Sequence, residues 1–173
     1  MSRPLARGAL LCILLALGGC GMAGGEDLKA AVPDGGTGTA EAMSPGELAW
    51  AQQVLDLVNK ERARVQAPPV EWHEGATNAA YAHSVDMDVR QFFAHTNPDG
   101  DGPGDRLRAA GVSWGSYGEN IAQGQNTPID VMAAWMNSDG HRRNILDPAF
   151  THLGVGVHTS YSGGPWWTQN FIR

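Results

Sequence analysis

Between Ser44 and Arg64 the apolar residues Ala51, Val54, Leu55 and Val58 fall at i, i+3, i+4 and i+7, the spacing of one helix face. Ser44-Pro45-Gly46-Glu47 supplies the start signal: a hydroxyl cap, a proline in the first turn and a glutamate three residues beyond the cap. The pattern predicts a helix to about Arg64, and Pro68-Pro69 bars its continuation. Ala76, Ala79, Ala80, His83 and Met87 line one face of a second helix, expected from near Glu74 to about Phe93. His83 stands within that apolar stripe and reads as a hydrogen-bonded core histidine. The stretch from His95 to Pro103 is dense in turn formers. A short helix from Asp105 to Ala110 should be closed by Gly111. Thr127-Pro128-Ile129-Asp130 repeats the start signal. Ile129, Met132 and Met136 lie on one side of that helix and Val131 and Trp135 on another, which predicts burial on more than one face. A last helical turn, from about Gly140 with Asp139 as its cap, is stopped by Asp147-Pro148.

The period then changes. Leu153, Val155 and Val157 alternate with Gly154, Gly156 and His158, the signature of a strand. Tyr161 to Pro165 reads as a hairpin loop and Trp166 to Ile172 as the returning strand. Neighbouring strand residues face opposite ways, so Trp166 and Trp167 put a large ring on each face of the sheet. Such a sheet needs helices above and below. The glycine face of the first strand allows another backbone to come close.

The N-terminal pattern is of another kind. Arg3 and Arg7 precede an apolar run from Ala9 to Leu17, too short to span a bilayer comfortably and laid out as a secretory signal. Leu17-Gly18-Gly19-Cys20 resembles the lipobox of bacterial lipoprotein precursors, in which the cysteine becomes the lipidated N-terminus. Residues 1–20 are therefore expected to be a lipoprotein signal, 21–43 a Gly/Ala-rich flexible tether and 44–173 the folded domain. As a random coil the tether would average roughly 25 Å from end to end. The expected location is the bacterial cell envelope after export, held to a membrane through Cys20. The chain's only cysteines are Cys12, inside the apolar run, and Cys20, so the folded domain must stand without a disulfide.

Of 173 residues, 42% are hydrophobic, enough for a real core. The net charge of −6 becomes about −8 once the signal is removed, and no basic face is available for nucleic acid. Three look-alike motifs fail. Asn97-Pro98-Asp99-Gly100-Asp101-Gly102 opens like a calcium loop, but Pro103 follows the glycine and Arg108 stands where the bidentate acid belongs. Gly111-Val112-Ser113-Trp114-Gly115 has the spacing of a nucleophile elbow, yet it follows a helix end in a chain too short for that fold. His73-Glu74 lacks the second histidine of a metalloprotease helix.

His95, Glu119 and His141 are the candidate site. His95 follows Phe92-Phe93 at a helix end, Glu119 lies between Gly118 and Asn120, and His141 opens a short helix. A helix N-terminus disfavours the imidazolium form and so favours the neutral ligand state of His141. Two imidazoles and a carboxylate with an open fourth position suit Zn²⁺. Spacing alone does not bring the three together.

Phe93-Ala94-His95-Thr96, Tyr117-Gly118-Glu119-Asn120-Ile121-Ala122, Trp135-Met136-Asn137-Ser138 and Gly140-His141-Arg142 resemble, in order, the CAP superfamily. This is the SCP domain of cysteine-rich secretory and pathogenesis-related proteins. Asn59 to Arg62, Pro98 to Leu107, Asn144-Ile145-Leu146 and Leu153-Gly154-Val155-Gly156 look like its bacterial branch. The resemblance covers nearly all of residues 48–173. It implies an α+β fold, a three-layer α/β/α sandwich around a small, mainly antiparallel sheet, with a central cleft of two His and two Glu. His95, Glu119 and His141 match three of the four cleft positions; the fourth is Ser138, a far weaker metal ligand than a carboxylate. Zn²⁺ or another divalent cation is thus expected to be weakly held at best. The resemblance implies no common activity. The expected function is a lipid-anchored module that binds an unknown small-molecule, lipid or protein ligand and no nucleic acid. A metal-assisted hydrolase of the envelope, with Glu119 as general base, and a purely structural polar cluster are the alternatives.

Overall fold

The computed structural model describes residues 42–160 and 163–173. The expected signal, and all of the tether but Ala42 and Met43, lie outside the described residues. Nine elements follow in the order α1 (Pro45–Arg64), β1 (Glu71–Trp72), α2 (Glu74–Val89), α3 (Pro103–Ala109), β2 (Tyr117–Gln123), α4 (Pro128–Met136), α5 (Asp139–Leu146), β3 (His152–Ser160) and β4 (Gly164–Ile172). The sheet order is β1-β3-β4-β2; β1 runs parallel to β3, and the other pairs are antiparallel. α2 packs on one face of the sheet with α3 beside it, while α1, α4 and α5 cover the other. This is the α/β/α sandwich with a mainly antiparallel sheet.

The start of α1 forms as its sequence dictates. Ser44 Oγ accepts the Glu47 N–H at 3.3 Å, and Glu47 Oε2 accepts the Ser44 N–H at 2.8 Å. Glu47 Oε1 accepts from the Thr159 N–H at 2.6 Å and its hydroxyl at 2.8 Å, which pins the first turn of α1 to the end of β3. The buried stripe of α1 is Glu47, Ala51, Val54, Val58 and Arg62, and Leu55 is only half-buried. Arg62 is fully buried. It donates to the carbonyls of Pro68, Ile145, Asp147 and Phe150 at 2.7 to 3.0 Å, and so joins α1 to the end of α5 and to the turns that precede β1 and β3.

The two tryptophans divide as expected. Trp167 stacks on Trp50 of α1, with centroids 5.6 Å apart, while Trp166 lies with Met87, Ile121 and Phe92 on the α2 side. The glycine face of β3 receives the backbone of α2. A Cβ on Gly154 would stand 2.2 Å from the Ala76 carbonyl carbon, and one on Gly156 2.2 Å from the Tyr81 nitrogen.

Several boundaries differ from expectation. α2 stops at Val89, because Gln91 adopts a left-handed φ of 53° and Phe92 turns back to bond the Met87 carbonyl. α3 begins at Pro103, two residues early, and ends at Ala109. α4 buries Val131, Met132 and Trp135 but leaves Ile129 exposed, so one side of it meets solvent. α5 begins at Asp139, with Ser138 rather than Asp139 in the cap position. β4 begins at Gly164. β1 and β2 were not foreseen: β1 has two residues, and β2 (Tyr-Gly-Glu-Asn-Ile-Ala-Gln) lacks apolar alternation. β2 is an edge strand whose outward carbonyls at Glu119 and Ile121 accept from Asn144 Nδ2 and Trp135 Nε1, each at 3.2 Å. Side chains thereby occupy groups that would otherwise template another strand.

Candidate functional site

The site wraps around the edge formed by β2. Glu119 pairs in register with Asn170, and its side chain points to the α2 face. Asn120, the next residue, points the other way and meets Gln169 and α5. One dipeptide therefore serves both layers.

On the α2 side, Glu119 Oε1 accepts the Nδ1–H of His95 at 2.8 Å, and Oε2 accepts from Arg106 Nη2 at 2.7 Å. A carboxylate can only accept, so the His95 proton sits on Nδ1 and the neutral ring keeps its lone pair on Nε2. The Glu119 side chain is 2% exposed and that of His95 51%, a polar head held on a buried base. Arg106 also donates from Nη1 to the Asp101 carbonyl at 2.9 Å, bracing the loop that carries His95. His83 is fully buried and joins the same scaffold, as the core reading expected. Its Nε2 donates to the Ala94 carbonyl at 3.0 Å and lies 4.0 Å from Glu119 Oε1. Burial holds the His83 pKa below the ordinary histidine value, with Glu119 opposing, so the ring is neutral at pH 7.

On the other side, His141 is the third residue of α5. Asn120 Nδ2 donates to the His141 carbonyl at 3.2 Å, and Asn144 Nδ2 donates to Asn120 Oδ1 at 2.8 Å, fixing α5 to β2. The pKa of His141 is lowered as expected, but the first cause is burial and the second the positive field of His95. Ser138 makes no side-chain cap bond. A groove of about 340 Å³ runs beside these groups, lined by Phe93, Ile121, Trp135, Gln125, Ser138 and His141.

The structure thus joins His95 to Glu119 directly and places His141 on α5, lining the groove. Among the described residues, no group of three or more His, Cys, Asp or Glu side chains is arranged to hold a metal ion. Both Glu119 oxygens are engaged by protein donors, so the residues present do not fit a centre with Glu119 as a direct ligand. Arg106, Asn120 and Asn144 escaped the sequence reading as site residues. Arg106 and Asn144 each lie on a short helix whose sequence carries no sign of the contact it makes across the fold. The look-alikes resolve as expected: Ser113 is exposed in the loop after α3, and Asn97 Oδ1 accepts the N–H groups of Asp99 and Asp101 in a turn. His73 caps α2, its Nδ1 accepting the Ala76 N–H at 3.1 Å.

Residues 55–171 match the family described as CAP, the cysteine-rich secretory protein family, and the chain belongs to it. It is 42% identical over 136 residues to the uncharacterized protein YkwD of Bacillus subtilis, and 36% identical over 122 residues to the uncharacterized membrane protein YlbC of the same organism. Those matches take in 79% and 70% of this chain but only 52% and 34% of the relatives, so the chain spans about half or less of their length. An extracellular SCP-domain protein from Bacillus anthracis superposes with a TM-score of 0.68 at 36% identity, covering 77% of this chain and 45% of that one. An outer surface protein from Borrelia burgdorferi shares the fold at 15% identity with the same TM-score, covering 76% of this chain and 96% of that one.

Proposed function

We propose that this CAP-domain protein is an exported, lipid-anchored binding module that captures a ligand in the groove along β2. The observation that carries the reading is the half-exposed His95, held on a buried and fully engaged Glu119 beside an apolar-floored groove. Phe93, 53% exposed at the groove, offers an aromatic surface that core packing does not explain. Export and anchoring rest on the N-terminal pattern ending at Cys20, in keeping with the extracellular description of the Bacillus anthracis relative. Among the described residues no helix is long and apolar enough to cross a membrane, so in this reading the acyl chains at Cys20 supply the attachment.

A divalent ion enters this reading only as a weakly held guest of His95 Nε2 and His141, with Glu119 behind His95 as its orienting carboxylate. The hydrolase alternative loses support, because the Glu119 side chain is 2% exposed and already accepts from His95 and Arg106, which leaves water little access to it as a base. The buried half of the cluster is structural in either case. Titrating the purified chain with panels of lipids, peptides and cell-wall fragments, followed by NMR, tests the proposal. Shifts should cluster at Phe93, His95, Ile121 and His141 and vanish in Phe93→Ala. Saturable binding that maps elsewhere, or a panel without binders, contradicts it.

A further inference from the structure

Glu119 is a buried carboxylate at a sheet edge, and the cation in contact with it is Arg106, whose side chain is 10% exposed. The other close partners, His95 and His83, are imidazoles, and burial keeps His83 neutral. Arg106 reaches across from α3 and is itself fixed: Nη1 is tied to the Asp101 carbonyl, and Asp105 in the same turn accepts the Gly102 N–H at 3.1 Å. The guanidinium is therefore a built part of the site rather than a flexible surface charge.

We propose that Arg106 is a positioning residue that sets what the site can hold. By occupying Glu119 Oε2 it withholds that oxygen from a metal ion. It also orients Oε1 toward the Nδ1–H of His95, so that the half-exposed ring keeps Nε2 as a lone-pair acceptor. The ligand class that follows is an uncharged group with an O–H or N–H to donate, an alcohol or an amide, seated against the apolar wall of Phe93, Ile121 and Trp135. This deepens the groove reading above and rests on it.

The charge arithmetic supports the assignment. With Arg106 in place, the pair with Glu119 is neutral, and nothing at the groove offers a divalent cation a carboxylate. Without Arg106, the freed oxygen stands beside His95, and a carboxylate and an imidazole are donor types of a zinc site. The arginine therefore accounts for metal weakness at a place where histidines alone suggest the opposite, and Ser138 adds only a hydroxyl.

The test is zinc titration of the full chain by calorimetry, comparing wild type with Arg106→Met, Arg106→Lys and Glu119→Gln. Arg106→Met should bind zinc on the order of tenfold or more tightly than wild type, the scale on which outer partners tune metal sites. Arg106→Lys, which keeps the charge, should stay near wild type, and Glu119→Gln should gain nothing. Equal zinc affinity in wild type and Arg106→Met overturns the proposal. Nitrogen NMR of the wild-type His95 ring decides the matter even if Arg106→Met does not fold: the Nδ1–H tautomer is required, and the Nε2–H tautomer refutes it. Neither readout uses a groove ligand, so failure here is distinct from failure of ligand capture, which the Phe93→Ala mapping reads separately.

Discussion

Replacing Arg62 with methionine should be among the most damaging changes that leave the site untouched. The side chain is fully buried, and its guanidinium donates four hydrogen bonds to the carbonyls of Pro68, Ile145, Asp147 and Phe150. Methionine fills much of the volume but leaves those acceptors without their shared donor. Burial draws the Arg62 pKa below its ordinary value, with Asp147 opposing, and an arginine so placed remains charged. Net bonds to a charged donor contribute about 1.5–3 kcal/mol each, but the four are not independent, and removing the charge also relieves its desolvation. A loss of about 3–5 kcal/mol is the reasonable sum. For a domain of this size each kcal/mol moves Tm by roughly 3–4 °C, so the melt should fall by roughly 9–20 °C. Calorimetric or circular-dichroism melts of wild type, Arg62→Met and Arg62→Lys measure it, with Lys intermediate because it keeps the charge but has fewer donors. An Arg62→Met melt within about 3 °C of wild type would refute the idea that this residue ties α1 to the end of α5 and to the turns that precede β1 and β3.

Further outcomes follow from the packing and the buried titratable groups. Gly156→Ala should cost about 1–3 kcal/mol or more, because its Cβ would lie 2.2 Å from the Tyr81 nitrogen; an unchanged urea midpoint contradicts the close approach of α2 to β3. Burial raises the Glu47 pKa, but hydrogen bonds from Thr159 and Ser44 outweigh it and hold the carboxyl below its ordinary value. Its stabilisation is then complete above the unfolded value of about 4.3 and is lost as pH falls through the lower folded value, so Glu47→Gln should be less stable at pH 7 and lose less on acidification, as urea melts at both ends would show. His83 is likewise held below the ordinary histidine value, so its share of stability is complete above about pH 6.5 and declines as pH drops toward the folded value. His83→Gln should flatten that part of the stability profile, and an unchanged slope would count against a buried neutral ring.

Where local chemistry and apolar period agree, the chain announces its structure. Ser44 with Glu47 and Thr127 with Asp130 mark helix starts that the structure keeps, and Trp166-Trp167 reveals a sheet covered on both faces. β2 was silent because its pattern serves the edge of the sheet and the site at once: Glu119 and Asn120 are polar yet buried, each bonded into a different layer. Gly118 is crowded by Asn144 and Phe150, which explains a small residue there that reads as a turn former. His95, Glu119 and His141 were legible as a set only through their likeness to a family. The partner that changes their chemistry, Arg106, lies 13 residues before Glu119 and becomes meaningful only once α3 docks against β2. A pairwise ion contact across the fold leaves no local trace in sequence. The same holds for Arg62, whose partners lie up to 88 residues away.

The central claim is that Glu119, held by Arg106, fixes His95 with its proton on Nδ1 and its lone pair on Nε2. Long-range nitrogen–proton spectra of the wild-type imidazoles, recorded without added metal at a pH where the ring is neutral, test it most directly. The account predicts that His95 is the Nδ1–H tautomer and that the pattern is lost in Glu119→Gln. A His95 that is Nε2–H, or that averages freely between tautomers in the folded protein, would contradict it.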